Sequence, residues 1–138
     1  MSPRRALPAV LVVAVVALAA GCSDVEDAVK GKANEAACSV AQKTVDGVSG
    51  QVDDAIDEIG ADPEAARRKL AGLRDVLDAA QSGISGEAKQ KLREVAAAVG
   101  NLADEAGDAA RGADIDTSAI DRAQDSLGEA VDGVRDFC

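Results

Sequence analysis

Three cysteines are the side chains of this chain best suited to chemistry, because the sequence contains no histidine. A thiol can be oxidised to a disulfide, attack as a nucleophile or ionise to bind a metal. Cys22, Cys38 and Cys138 are far apart in the sequence, and none belongs to the CxxC pattern that tunes redox and zinc thiols. The lack of both histidine and CxxC argues against metal binding and thiol catalysis.

The other polar residues form no catalytic motif. The sequence has no GxSxG, P-loop or GxGxxG pattern, and without histidine it forms no histidine-based triad, relay or zinc site. Its many carboxylates, such as the pair Asp53 and Asp54, fall on the outward faces of the predicted helices, where a solvated surface is their ordinary role. The sequence therefore predicts neither an enzyme nor a cofactor.

The segment from Asp114 to Asp125 places side-chain oxygens at alternate positions, as a calcium-binding loop does. However, Ala119 stands at the sixth position, where that loop needs glycine, and Asp125 stands at the twelfth, where it needs glutamate. Helix capping explains Asp116 and Ser118 without a metal. We therefore predict no metal site, and calcium binding is the alternative for this segment.

The start of the chain has the three parts of a secretory signal. Arg4 and Arg5 form a positive beginning, and an uncharged apolar stretch follows from Ala9 to about Ala20. That stretch spans about 12 residues, whereas a permanent membrane-spanning helix needs about 20. Small residues then precede Cys22. This segment is predicted to direct export and to be removed.

The sequence Leu18-Ala19-Ala20-Gly21-Cys22 resembles the signal of bacterial lipoproteins, although Ala19 occupies the position where leucine is commonest. The resemblance implies cleavage between Gly21 and Cys22 and attachment of diacylglycerol to the Cys22 thiol. It also implies an extracytoplasmic protein that lipid anchors to the bacterial cell membrane, since two or more acyl chains attach stably. An ordinary secretory signal and a retained transmembrane anchor are the alternatives. We recognise no domain family in residues 23–138.

Composition limits the partners of the mature chain. Removal of residues 1–21 leaves 117 residues, enough for one domain, with a charge of −12. This charge argues against nucleic acid, whose binding depends on Lys and Arg, and it repels an anionic membrane. The lipid on Cys22 is therefore the predicted membrane contact, and an envelope protein is the predicted partner. The bias towards Ala, Gly, Arg, Asp and Val suggests a GC-rich genome, such as that of a high-GC Gram-positive bacterium.

Four segments repeat apolar residues at alternating steps of three and four, which is the heptad pattern of packed helices. Alanine is abundant and Phe137 is the only aromatic residue, which disfavours a β-sheet. Charged residues occupy the other faces. The predicted core positions are Cys38, Ala41, Val45, Val48, Val52, Ala55 and Ile59; Ala66, Leu70, Leu73, Leu77, Ala80 and Ile84; Ala88, Leu92, Val95, Val99, Leu102, Ala106 and Ala109; and Ile120, Ala123, Leu127, Ala130, Val134 and Phe137.

Short breaks separate the four segments. Asp62 with Pro63 predicts the start of the second helix, Ser85 that of the third, and either Asp116 or Ser118 that of the fourth. Helices of about 22, 20, 25 and 21 residues, joined by links of about 3 to 6 residues, predict an all-α fold. The expected architecture is an up-down-up-down antiparallel four-helix bundle with an Ala-rich core. A three-helix arrangement with a loose first segment is the alternative.

In that topology the end of the fourth helix lies beside the start of the first, which places Cys138 near Cys38. An exported chain with two cysteines besides Cys22 favours a disulfide between them. A redox or metal pair and an intermolecular bridge are the alternatives. Residues 22–37 then lie outside the cross-linked bundle of residues 38–138. Their apolar residues recur every four positions and predict a short helical stalk, about 20 Å long, that keeps the bundle close to the membrane.

These features predict a non-enzymatic, lipid-anchored protein of the cell envelope whose acidic helical bundle binds or spaces another envelope component. The alternative is a carrier of small molecules or lipids that uses a cavity between the helices. An Ala-rich core favours the first hypothesis, because close-packed helices leave little room for a ligand.

Overall fold

The computed structural model describes the backbone of residues 23–138 and the side chains of residues 31–138. Over residues 23–138 the chain forms four α-helices and no strand. They are α1 (Ser23–Ile59), α2 (Pro63–Ser82), α3 (Gly86–Ala110) and α4 (Thr117–Phe137). Successive helices pack against each other through short connections. The predicted all-α four-helix bundle is therefore confirmed.

The start of α2 follows the capping signal in the sequence. The Asp62 carboxylate accepts a hydrogen bond from the backbone N–H of Ala65 at 3.0 Å, and Pro63 occupies the first helical position. Both satisfy or remove N–H groups that the first turn of a helix leaves unpaired. Ser85 precedes α3 as predicted, but its hydroxyl makes no capping hydrogen bond.

The first helix is longer than the predicted first segment. α1 has 37 residues, or about 55 Å at 1.5 Å per residue. The stalk predicted from residues 22–37 is helical from Ser23 onwards, and the helix runs without a break past Cys38. Ala37 is 7% exposed and so already belongs to the packed part of the helix. Stalk and bundle therefore share one continuous helix.

The third helix is the centre of the bundle. α3 contacts α1, α2 and α4, whereas α2 and α4, which are both fully described, do not touch each other. The contact between α1 and α4 is the least extensive of the helix pairs that meet. The cross-section is therefore a rhombus, with α1 and α3 on the short diagonal and α4 held mainly by α3.

The core matches the predicted heptad positions closely. Ala80, Ile84 and Ala109 are half-buried and pack against it. The prediction was wrong for Phe137, which is 39% exposed because it is the last residue of α4 and no further turn covers it. Val131 is buried outside the predicted register. The buried apolar cluster comprises Ala41, Val45, Val48, Val52, Ala55, Ile59, Ala66, Leu70, Leu73, Leu77, Leu92, Val95, Ala96, Ala98, Val99, Leu102, Ala106, Ile120, Ala123, Leu127, Ala130, Val131 and Val134.

Replacing glycine by alanine is expected to change the stability of the fold in opposite directions at two kinds of position. A β-carbon at Gly50 or Gly128 would meet nothing within 4 Å, so alanine there is expected to stabilise the fold by about 0.5–1 kcal/mol through helix propensity. Gly112 has φ +89°, where alanine is expected to destabilise by about 1–2 kcal/mol. Urea unfolding followed by circular dichroism measures each change. The same sign for Gly50→Ala and Gly112→Ala would contradict this assignment.

Candidate functional site

The predicted lipid attachment lies outside the described residues, as do Cys22 and Gly21 on either side of the predicted cleavage. α1 begins at Ser23, the residue that follows Cys22. Among the helices of the described residues, none combines the length and the apolar character that a membrane span requires. The part of the site that the structure does describe is therefore the helix that leads from this position into the bundle.

A disulfide joins the two remaining cysteines. The sulfur atoms of Cys38 and Cys138 are 2.07 Å apart, and their Cα atoms are 5.3 Å apart. Cys38 lies within α1, and Cys138 follows the last residue of α4, so antiparallel packing brings the two positions together. The disulfide predicted from the topology is present in the structure. It closes a loop of about 100 residues and joins α1 to α4, which have the least extensive contact among the helix pairs that meet.

An ion pair lies near the disulfide. The guanidinium of Arg135 in α4 donates a hydrogen bond to a carboxylate oxygen of Asp46 in α1 at 3.2 Å. The two side chains are 54% and 65% exposed, and such surface pairs contribute little because water and salt screen them. The covalent bond between Cys38 and Cys138 is therefore the main link between α1 and the end of α4.

The segment from Asp114 to Asp125 forms the loop before α4 and its first turns. The Asp116 carboxylate accepts a hydrogen bond from the backbone N–H of Ala119 at 3.0 Å and so caps α4, the role that the sequence left open between Asp116 and Ser118. In residues 31–138, no three His, Cys, Asp or Glu side chains come together as a metal site would require. The structure accounts for Asp116 by capping alone.

Arginine side chains lie over glycines between α2 and α3, which the sequence analysis missed. A β-carbon at Gly100 would lie 3.3 Å from an Nη atom of Arg74, and one at Gly107 would lie 3.3 Å from Cδ of Arg67. The two arginines are seven residues apart, as are the two glycines. Because each glycine lacks a side chain, each arginine stem can lie against the α3 backbone. The seven-residue spacing shared by the two arginines and the two glycines is the sequence signal that could have revealed this packing.

The same surface contains the clearest pKa change. Arg67 donates two hydrogen bonds to the Glu64 carboxylate, at 2.7 and 3.3 Å, and this contact holds the pKa of Glu64 below its usual value. Glu64 and Arg67 are three residues apart on one exposed helix face. They form a solvent-exposed ion pair within α2.

Two clefts of the described residues lie on the surface of the bundle. The cleft of about 450 Å³ beside Val40 is lined by α1 and by the turn between α2 and α3. Another of about 310 Å³ runs along α3 and α4 and is edged by Glu105 and Arg122. Both open to solvent, whereas a carrier of apolar ligands needs an enclosed apolar pocket.

Charge is unevenly distributed along the bundle. The distal half (residues 49–72 and 99–127) contains the α1–α2 and α3–α4 connections and carries 13 acidic and 5 basic side chains. The proximal half (residues 31–48, 73–98 and 128–138) contains the disulfide and carries 9 acidic and 7 basic side chains. Most of the net negative charge therefore lies far from the start of α1.

In comparisons with protein-family models, curated proteins and solved structures, the chain matches none. The long first helix, the disulfide and the charge distribution are the features of the molecule that bear on its function.

Proposed function

We propose that this chain is a non-enzymatic lipoprotein of the bacterial cell envelope, anchored by lipid on Cys22, whose acidic helical bundle interacts with or spaces an envelope component. The observation that carries the proposal is the continuity of α1, which begins at the residue after Cys22 and enters the bundle without a break. A lipid at Cys22 is thereby connected to the bundle through a helix.

The length of that helix supports a spacing role. Residues 23–37 rise about 22 Å along α1 before the disulfide, since an α-helix rises 1.5 Å per residue. Such a helix holds the bundle at a defined distance from the anchor, whereas a flexible tether would allow many distances. We therefore keep the sequence-based expectation of a stalk about 20 Å long, which sets the distance between the anchor and the bundle.

The charge distribution supports the same role. Anionic lipids repel acidic side chains that come within a Debye length, about 8 Å at physiological ionic strength. An upright bundle keeps its distal half beyond that range, whereas a bundle lying on the membrane brings the surplus of acidic residues into it. The net charge therefore favours the upright orientation and presents the distal half to envelope partners.

Mass spectrometry of the chain extracted from native membranes tests the proposal. The expected mass is that of residues 22–138 plus a diacylglyceryl group and any acyl group on the new amino terminus. Cys22→Ser is expected to remove the lipid mass, whereas the double variant Cys38→Ser/Cys138→Ser is expected to retain it. A processed chain without lipid would contradict the proposal.

A further inference from the structure

A notch lies on the surface between α1 and α2, with a volume of about 390 Å³. Leu73 forms its floor at 7% exposure, and Val76 at its edge is 52% exposed. Arg68 and Lys69 lie at the α2 edge of the notch, where Lys69 pairs with Glu58, and Asp54 lies at its α1 edge. The lining residues are Gln51, Asp54, Arg68, Lys69, Gly72, Leu73 and Val76.

A side chain could fill the space in the notch without a steric clash. A β-carbon at Gly72 would meet nothing within 4 Å, although glycine in the middle of a helix weakens it. Gly72 lies one helical turn from Arg68 on one side and from Val76 on the other. The missing side chain leaves an opening between a guanidinium and an apolar side chain, and a second molecule can approach the backbone there.

The chain itself contains a segment with matching chemistry. Residues 111–118, which connect α3 to α4, are all exposed. Ile115 in this loop is 42% exposed and stands between Asp114 and Asp116. An apolar side chain next to a carboxylate complements an apolar notch next to a guanidinium.

We propose that the α3–α4 loop of one copy binds the α1–α2 notch of a second copy. Ile115 enters above Gly72, against Leu73 and Val76, and the Asp114 carboxylate pairs with the Arg68 guanidinium. Arg68 makes no ion pair within residues 31–138, whereas its neighbours Arg67 and Lys69 each pair with a glutamate. Arg68 is therefore available to a carboxylate from another chain.

The contact joins two different surfaces, so each copy keeps a free loop and a free notch. Such a heterologous contact extends into open chains unless its rotation closes a ring. Asp116 stays engaged in capping α4, which fixes the end of the loop beside Ile115. The contact does not depend on lipid at Cys22, so a failure here leaves the proposed function intact.

Photo-cross-linking of detergent-solubilised protein tests the contact. Benzoylphenylalanine replaces Ala113, which is exposed in the loop and outside the proposed contact. Equal amounts of ¹⁴N- and ¹⁵N-labelled protein are mixed and irradiated, and the cross-linked peptides are identified by mass. The expected products contain both isotopes and join position 113 to residues 68–76. Products that contain one isotope only, or that map elsewhere, overturn the proposal.

Two variants separate the contact from folding. Gly72→Leu fills the notch and is expected to reduce the mixed-isotope product at least about fivefold without lowering the midpoint of urea unfolding. Gly128→Leu, at another helix glycine with open space around it, is the matched control and is expected to leave the yield unchanged. Equal yields for the two variants overturn the proposal.

A charge exchange tests the ion pair. Arg68→Glu is expected to lower the mixed-isotope yield, because it places a carboxylate opposite Asp114. Adding Asp114→Arg to the same chain is expected to restore the yield, since the pair is then re-formed with opposite polarity. A double variant that is no better than Arg68→Glu overturns the assignment of Arg68 and Asp114 as partners.

Discussion

Replacing Cys38 and Cys138 together by serine is expected to lower the free energy of unfolding by up to about 4.7 kcal/mol, the chain-entropy value for a loop of about 100 residues. The bond closes a loop of that size and links α1 to α4, whose contact is the least extensive among the helix pairs that meet. Domains are commonly stable by only about 5–15 kcal/mol. Loss of the disulfide is therefore expected to leave a marginally folded chain.

Urea unfolding of the oxidised protein, the reduced protein and the serine variant measures this effect. Asp46→Ala is the matched control, because it removes the ion pair beside the disulfide and is expected to change stability by less than about 1 kcal/mol. Hydrogen exchange is expected to increase first in the last turns of α4, which then keep only the packing against α3 and the small contact with α1. An unfolding midpoint that does not change on reduction would contradict this account.

Much of the fold follows from local signals in the sequence. Asp62 and Pro63 mark the start of α2 because they satisfy or remove free N–H groups, and the structure places α2 at Pro63. The heptad spacing identifies the inward face of each helix, and that periodicity alone locates buried residues such as Val99 and Leu127. These signals act within a few residues, so they can be recognised without the tertiary structure.

Features that depend on neighbouring helices were not predictable in the same way. Ala96 and Ala98 lie outside the predicted register but are buried, because α3 contacts three helices and needs a wider apolar face. A heptad pattern does not state how many neighbours a helix has. Phe137 fits the register but is exposed, because the register does not state where the neighbouring helices cease to cover it.

The candidate site also contains one feature that the sequence predicts and one that it does not. The pairing of Cys38 with Cys138 followed from chain topology, since short connections bring these two positions to one end of the bundle. The packing of Arg67 over Gly107 could not be predicted from chain topology. It depends on the distance between α2 and α3 and on the conformation of a long side chain. Covalent constraints and topology were therefore more predictable than contacts of flexible side chains.

Leu102→Ala is expected to destabilise the protein by about 2–5 kcal/mol, through the lost burial of the side chain and the cavity left behind. Leu102 is 0% exposed in α3, the helix with the most extensive contacts to the others, so its surroundings are least able to relax. Leu127→Ala in α4, at 7% exposure, is expected to have a smaller effect. Besides α3, α4 contacts only α1, and that contact is small, so the residues around Leu127 can relax more easily. Val76→Ala, at 52% exposure, is the surface control and is expected to stay within about 0.5 kcal/mol. Equilibrium urea unfolding of the disulfide-intact variants ranks the three changes, and an equal loss for Leu102→Ala and Leu127→Ala would show that α3 is not the centre of the core.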